Sequence, residues 1–286
     1  RLKGIRIPSL TIPKVTNLSP KHVFTQGLET LEMIVLLREN QGLGLSATPN
    51  YPLKKITPQE VFDLSLRVDE YLNMVFKESG MVSTPWIINS EIEYFNDKTP
   101  SDVYINMWRI NALLKAILGN QGFNSKHLDQ KADYIVNKLN ILVSRIASKY
   151  AVNDKPATNK DAHNGKSHKR TRNISNTDLL TKTLDLKKLV TQVKTQQRLP
   201  TNARISSPTI NEATTSDIYS QLWQLDLGIS EIALSFGIDE QAVKAIKAAK
   251  ANNKNSEQIY QKLLIAEEKL KILSRYLLNV NDRKSQ

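Results

Sequence analysis

TPSDVYINMWRINALLKAILGNQGF, residues 99–123, is the stretch whose reading decides the fold. Thr99 followed by Pro100 is a helix start: the hydroxyl caps the first free amides, and proline at the first helical position gives up no helix bond. Asp102, three residues after the cap, stands where a carboxylate returns a hydrogen bond to the cap and meets the positive end of the helix dipole. Val103, Ile110, Leu114 and Ile117 recur at helical spacing, with Tyr104 and Trp108 widening the stripe. Gly122 followed by apolar Phe123 reads as a stop, because glycine adopts the left-handed conformation that ends a helix.

The same text recurs without gaps from Ser19, Thr57 and Thr214. Counted from the cap, offset 5 is aromatic in every copy: Phe24, Phe62, Tyr104 and Tyr219. Offset 9 is Leu28, Leu66, Trp108 and Trp223, and offset 23 is Gly42, Gly80, Gly122 and Gly237. Glu60 and Asp217 repeat the acid of Asp102, whereas His22 replaces it in the first copy and should weaken that capping box. A fainter copy opens at Ser175 with Asp178, Leu179 and Leu184 and lacks the terminal glycine. Each unit predicts a helix of about 22 residues.

Two further helical stripes run over 125–149 and 255–279, and a shorter one over 239–251. The expected fold is therefore all-α, with duplicated long amphipathic helices forming one or two bundles. An N-terminal bundle spans 1–150, with helices near 19–41, 57–79, 99–121 and 125–149. A C-terminal bundle spans 175–286, with helices near 175–197, 214–236, 239–251 and 255–279. Between them, 151–174 is polar and basic and reads as a linker. Short connections after Gly122 and Gly237 predict antiparallel hairpins, while longer ones after Gly42 and Gly80 let consecutive units lie parallel. Residues 87–89 and 91–95 have weak strand character, and extended coil suits them better.

The 286 residues carry 40 basic and 28 acidic side chains and no cysteine. Thiol chemistry, cysteine-bound metals and disulfides are excluded. The net +12 divides into +4 for 1–150 (18 basic, 14 acidic), +4 for 151–174 (6 and 2) and +4 for 175–286 (16 and 12). Charge density thus peaks in the linker, where Lys166, Lys169, Arg170 and Arg172 are candidate contacts for an anionic surface, membrane included. Trp86, on a connection, is a second surface candidate.

No metal site, cofactor motif or catalytic constellation is legible, so the expectation is not an enzyme. The sharpest candidate site is the repeated aromatic pair: Tyr104, Trp108, Tyr219 and Trp223 as a small-molecule cage. The alternative is that they are core residues, since other copies carry Leu and Phe there. EIALSFGIDEQAVKAIKAAK, from Glu231, resembles the helix-turn-helix of bacterial repressors, and over 229–248 it implies DNA contact. Gly237 is, however, the repeat's own stop, and the second helix would offer mostly phosphate-reaching lysines. The leading expectation is a non-enzymatic helical-bundle module for protein interaction or ligand sensing in signal transduction. The proline-containing opening RIPSLTIPKVT and the absent initiator methionine point to a periplasmic or secreted setting, with cytoplasmic as the alternative.

Overall fold

A computed structural model describes residues 12–42, 54–78, 98–119, 122–149, 173–208, 210, 213–238 and 255–284. Among them are seven helices: α1 (Pro20–Asn40), α2 (Pro58–Glu78), α3 (Pro100–Leu118), α4 (Ser125–Lys149), α5 (Asn176–Gln196), α6 (Thr215–Ser235) and α7 (Ser256–Lys284). A two-residue strand β1 (Val15–Thr16) pairs antiparallel with β2 (Arg204–Ile205). The protein is an all-α helical bundle fold. The expected helix at 239–251, the weak strand segments at 87–89 and 91–95, and the 151–172 part of the linker lie outside the described residues.

Helix starts follow the repeat closely. The reciprocal box forms at Thr99/Asp102, Ser175/Asp178 and Thr214/Asp217, and Glu60 accepts from the Thr57 amide at 2.8 Å. In the first copy His22 Nδ1 accepts from the Ser19 amide at 3.1 Å in place of the acid, but the Ser19 side chain makes no cap hydrogen bond, so this box is weaker than the others. Hydrogen bonds from Thr99 hold the Asp102 carboxyl below its ordinary range.

Helix stops follow it with two corrections. At Gly237 (φ 69°) the Ile238 amide donates to Ala233 and the Gly237 amide to Leu234, the paired bonds of a Schellman turn. Gly42 (φ 72°) ends α1 in the same conformation. Helix α3 stops earlier than expected, at Gly119 (φ 50°), so Gly122 lies beyond the helix. Gly80 lies outside the described residues. In the faint fifth copy, offset 23 is Arg198, and it adopts φ 55° all the same, with Leu199 donating to Lys194 and Arg198 to Thr195. The stop is thus kept where its glycine is absent.

Two compact units emerge: residues 1–124 with 202–208, and residues 125–201 with 209–286. The division falls before α4, not at the basic linker, because the apolar stripe of α4 is spent on α6 and α7. In the first unit α1 packs on both α2 and α3. Leu18, Val23, Tyr104 and Met107 form a core there, joined by Val15, Trp108 and Ile205. Further along, Thr30 meets Asn111 at 2.6 Å, so α1 and α3 run in the same direction.

In the second unit each helix has two neighbours, in the order α4–α7–α5–α6 and back to α4. Along α4 and α6, His127 meets Tyr219, Lys131 meets Trp223 and Lys138 meets Ser230, so these helices run parallel. Along α5 and α6, Lys187 meets Gln221 and Lys194 meets Glu231; along α5 and α7, Lys182 meets Glu267 and Gln196 meets Ser274. All four helices therefore point one way. The described helices α6 and α7 are accordingly parallel and non-adjacent, while the hairpin expected after Gly237 involves 239–251, outside the described residues. Gly228 lets α5 approach: a Cβ there would meet Val190 Cγ1 at 2.6 Å.

Arg198 supplies the first test. A side chain in the left-handed region costs about 1 kcal/mol, so Arg198→Gly should raise unfolding stability by roughly 0.5–1 kcal/mol in a urea titration. An unchanged or lower midpoint would contradict the stop geometry.

Candidate functional site

Offset 12 of the repeat lies one and two turns beyond the aromatic pair, on the face formed by offsets 5, 9, 12 and 16. Its residues are Leu31, Asp69, Asn111, Lys187 and Asp226: polar in four copies out of five, inside an apolar stripe. Burying such a group demands a partner, and three of the four find theirs on a neighbouring parallel helix.

Asp226 of α6 is fully buried. Lys131 Nζ donates to its Oδ2 at 2.9 Å, and Lys138 Nζ donates to its Oδ1 and, at 2.8 Å, to Ser230 Oγ. Ser230 Oγ in turn donates to the Asp226 carbonyl at 2.8 Å. The Lys131 ammonium sits 3.2 Å from the centre of the Trp223 ring, and that of Lys138 lies 4.7 Å from the Tyr134 ring. Burial pushes the Asp226 carboxyl up, but the two ammonium groups outweigh it and hold it below the usual range. Burial pulls the Lys138 ammonium down, against the opposing pull of Asp226. On its other side α4 is tied to α7, where Lys262 pairs with Asp129 at 2.6 Å and with Asp133.

Asn111 of α3 fills the same position in the first unit. Its Oδ1 lies 2.6 Å from the Thr30 hydroxyl, its amide donates to the Gln26 carbonyl at 3.4 Å, and Lys115 of α3 lies 3.5 Å from Glu29. Lys187 of α5 donates to Gln221 Oε1 and Gln224 Oε1, both at 2.6 Å. With amide oxygens in place of a carboxylate, burial lowers its pKa to about 8.

The four cage candidates divide between the units. Tyr104 and Trp108 belong to the first unit's core. Tyr219 and Trp223 are buried in the second, and the cation position over Trp223 is filled by the chain's own Lys131. Gly237 forms the turn of the helix-turn-helix-like segment, but residues 239–248 lie outside the described residues, as do Trp86, Lys166, Lys169, Arg170 and Arg172. Among the described residues no group of three His, Asp or Glu is placed to hold a metal ion.

The odd member is α2. Its buried residues, Leu64, Val68 and Val75, occupy one side. On the opposite side Phe62 and Leu66 are 52% and 54% exposed, although their equivalents Tyr219 and Trp223 are 5% and 2% exposed. Asp69, at offset 12, is exposed and accepts from Asn73 of its own helix at 3.1 Å. The face Phe62, Leu66, Asp69, Asn73 thus repeats Tyr219, Trp223, Asp226, Ser230, residue class for residue class, with its first three residues exposed and Asn73 half-buried.

Two outcomes check the buried groups. Asp226→Ala strands two ammonium groups and should cost about 3–5 kcal/mol in chemical unfolding, whereas Asp69→Ala should change stability by less than about 0.5 kcal/mol. Lys187 has a folded pKa below its unfolded one, so its charge costs stability at neutral pH and the cost fades as pH rises from about 8 to 10.5. Lys187→Met should therefore lose about 1–2 kcal/mol of its stability relative to the parent chain across that window, read from melting curves at each pH. A pH-independent difference would contradict the assignment.

No protein-family model matches the chain, and neither a curated protein nor a solved structure is detectably similar to it.

Proposed function

We propose that the chain is a non-enzymatic helical-bundle module that binds another protein. One observation carries the reading: α2 exposes Phe62 and Leu66 at repeat positions that are buried in α3 and α6 or only partly open. Exposed aromatic and aliphatic residues on one helical face, ringed by charge, are the composition of an interaction site. The buried polar groups, by contrast, are consumed in pairs with one another, which leaves few to converge on a substrate. Ligand sensing, where it occurs, passes through such a contact, because the Trp223 ring already carries an internal cation. No described helix is long and apolar enough to cross a membrane. An exported, periplasmic setting accords with the wealth of Asn, Thr, Ser and Lys and belongs to the same reading.

A photo-crosslinking amino acid at position 66, introduced in the cells that produce the protein, tests it. The expected result is a discrete adduct heavier than the chain by one partner, absent when the probe sits at the buried position 64. No adduct, an adduct with nucleic acid, or one of twice the chain's own mass would overturn it.

A further inference from the structure

The partner's chemistry can be read from the chain's own solution to the same surface. Resting on the protein-binding reading, we propose that the outward face of α2 seats an amphipathic helix of a partner protein. That helix runs parallel to α2 and carries two cationic side chains seven residues apart.

Three observations converge on this occupant. The first is the match of faces: aromatic, large apolar, aspartate and small polar at offsets 5, 9, 12 and 16 in both α2 and α6. In α6 that face is covered by α4, whose Lys131 and Lys138 close on Asp226 while Lys131 lies on the indole. Seven residues are two helical turns, so both ammonium groups stand on one side of the covering helix. The second is charge. Helix α4 carries five Lys or Arg against two Asp, whereas α2 carries five Asp or Glu against two Lys or Arg. Asp63, Asp69 and Glu70, against Arg67 alone, are exposed around Phe62 and Leu66, so the open face is net acidic on a chain of net +12. The third is direction: wherever side-chain contacts fix the sense of two helices within a unit, it is parallel. A second copy of the chain docking through the same face would set these carboxylates against one another, which disfavours it.

A peptide of residues 125–149 is the probe, since it has the proposed partner's pattern. Labelled and titrated with the full chain in a fluorescence anisotropy assay, it should bind in the micromolar range. Leu66→Asp and Asp69→Lys in the chain should each weaken binding about 10-fold or more, with melting temperature unchanged because both positions are exposed. A peptide carrying Lys131→Glu and Lys138→Glu should fail against the parent chain and regain binding to the Asp69→Lys chain. No binding up to about 1 mM would overturn the inference. So would binding indifferent to Leu66 and Asp69 but sensitive to Asp226→Asn, which would mean that the peptide displaces the chain's own α4. An adduct at position 66 with no peptide binding removes the cationic helix and leaves the protein-binding reading standing; loss of the adduct removes both.

Discussion

A carboxylate sealed between two parallel helices is the constraint on which the second unit depends. Asp226 has no access to water, and its Oδ1 and Oδ2 are each answered by a different lysine one side of α4 away. A slip of α4 by one turn would strand at least one of these charges, at a cost of several kcal/mol. Direction is fixed with register, because reversing α4 would carry Lys138 away from Ser230 and His127 away from Tyr219. Parallel neighbours cannot be joined by a tight turn, so the chain must return the length of a helix between them. The stretch from Gln197 to Thr214 does this between α5 and α6, contributing β2 to the first unit on its way.

Parallel packing carries its own electrostatic cost, since helix dipoles that point one way repel. The repeat meets it at the point of greatest effect. Asp178 and Asp217 place a negative charge on the N-terminal turn in the second unit, and Glu60 and Asp102 do so in the first. Lys54 adds an ion pair to Glu60, which holds that carboxyl low together with the Thr57 amide. The acidic capping residues thus start α2, α3, α5 and α6 and also ease the gathering of like dipole ends.

Helix existence and ends were legible because they rest on local chemistry. A hydroxyl, a proline and an acid at fixed spacing need no tertiary context, and Thr99 and Thr214 behave as written. Arg198 was not legible, because the sequence advertises a left-handed stop only when glycine occupies it; the Schellman bonds at Leu199 enforce it without one. Offset 12 was legible in principle. Asp69, Asn111, Lys187 and Asp226 line up as a polar column within an apolar stripe, yet the column mixes acid, base and amide and so has no consensus to notice. Which partner answers each residue is tertiary information. Lys131 and Lys138 lie 95 and 88 residues from Asp226, on a helix outside the repeat. The division before α4 was not legible for the same reason: polar composition marks 151–174, while the allegiance of α4 is decided by those distant pairs.

The exposed face of α2 gains meaning from that column. Phe62 and Leu66 stand one turn apart on the same exposed face, where they add little to the stability of the described core. The aromatic–apolar–aspartate order in the open is therefore not accounted for by folding of the described core. Asp63, Asp69 and Glu70 have a second consequence on the same patch. They raise the cost of burying Phe62 and Leu66 against another acidic face, so indiscriminate association is resisted while a cationic helix is admitted. Specificity of this kind follows from the same physics that secures α4 to α6: an aspartate beside an aromatic is tolerable under cover only when a lysine arrives with the cover.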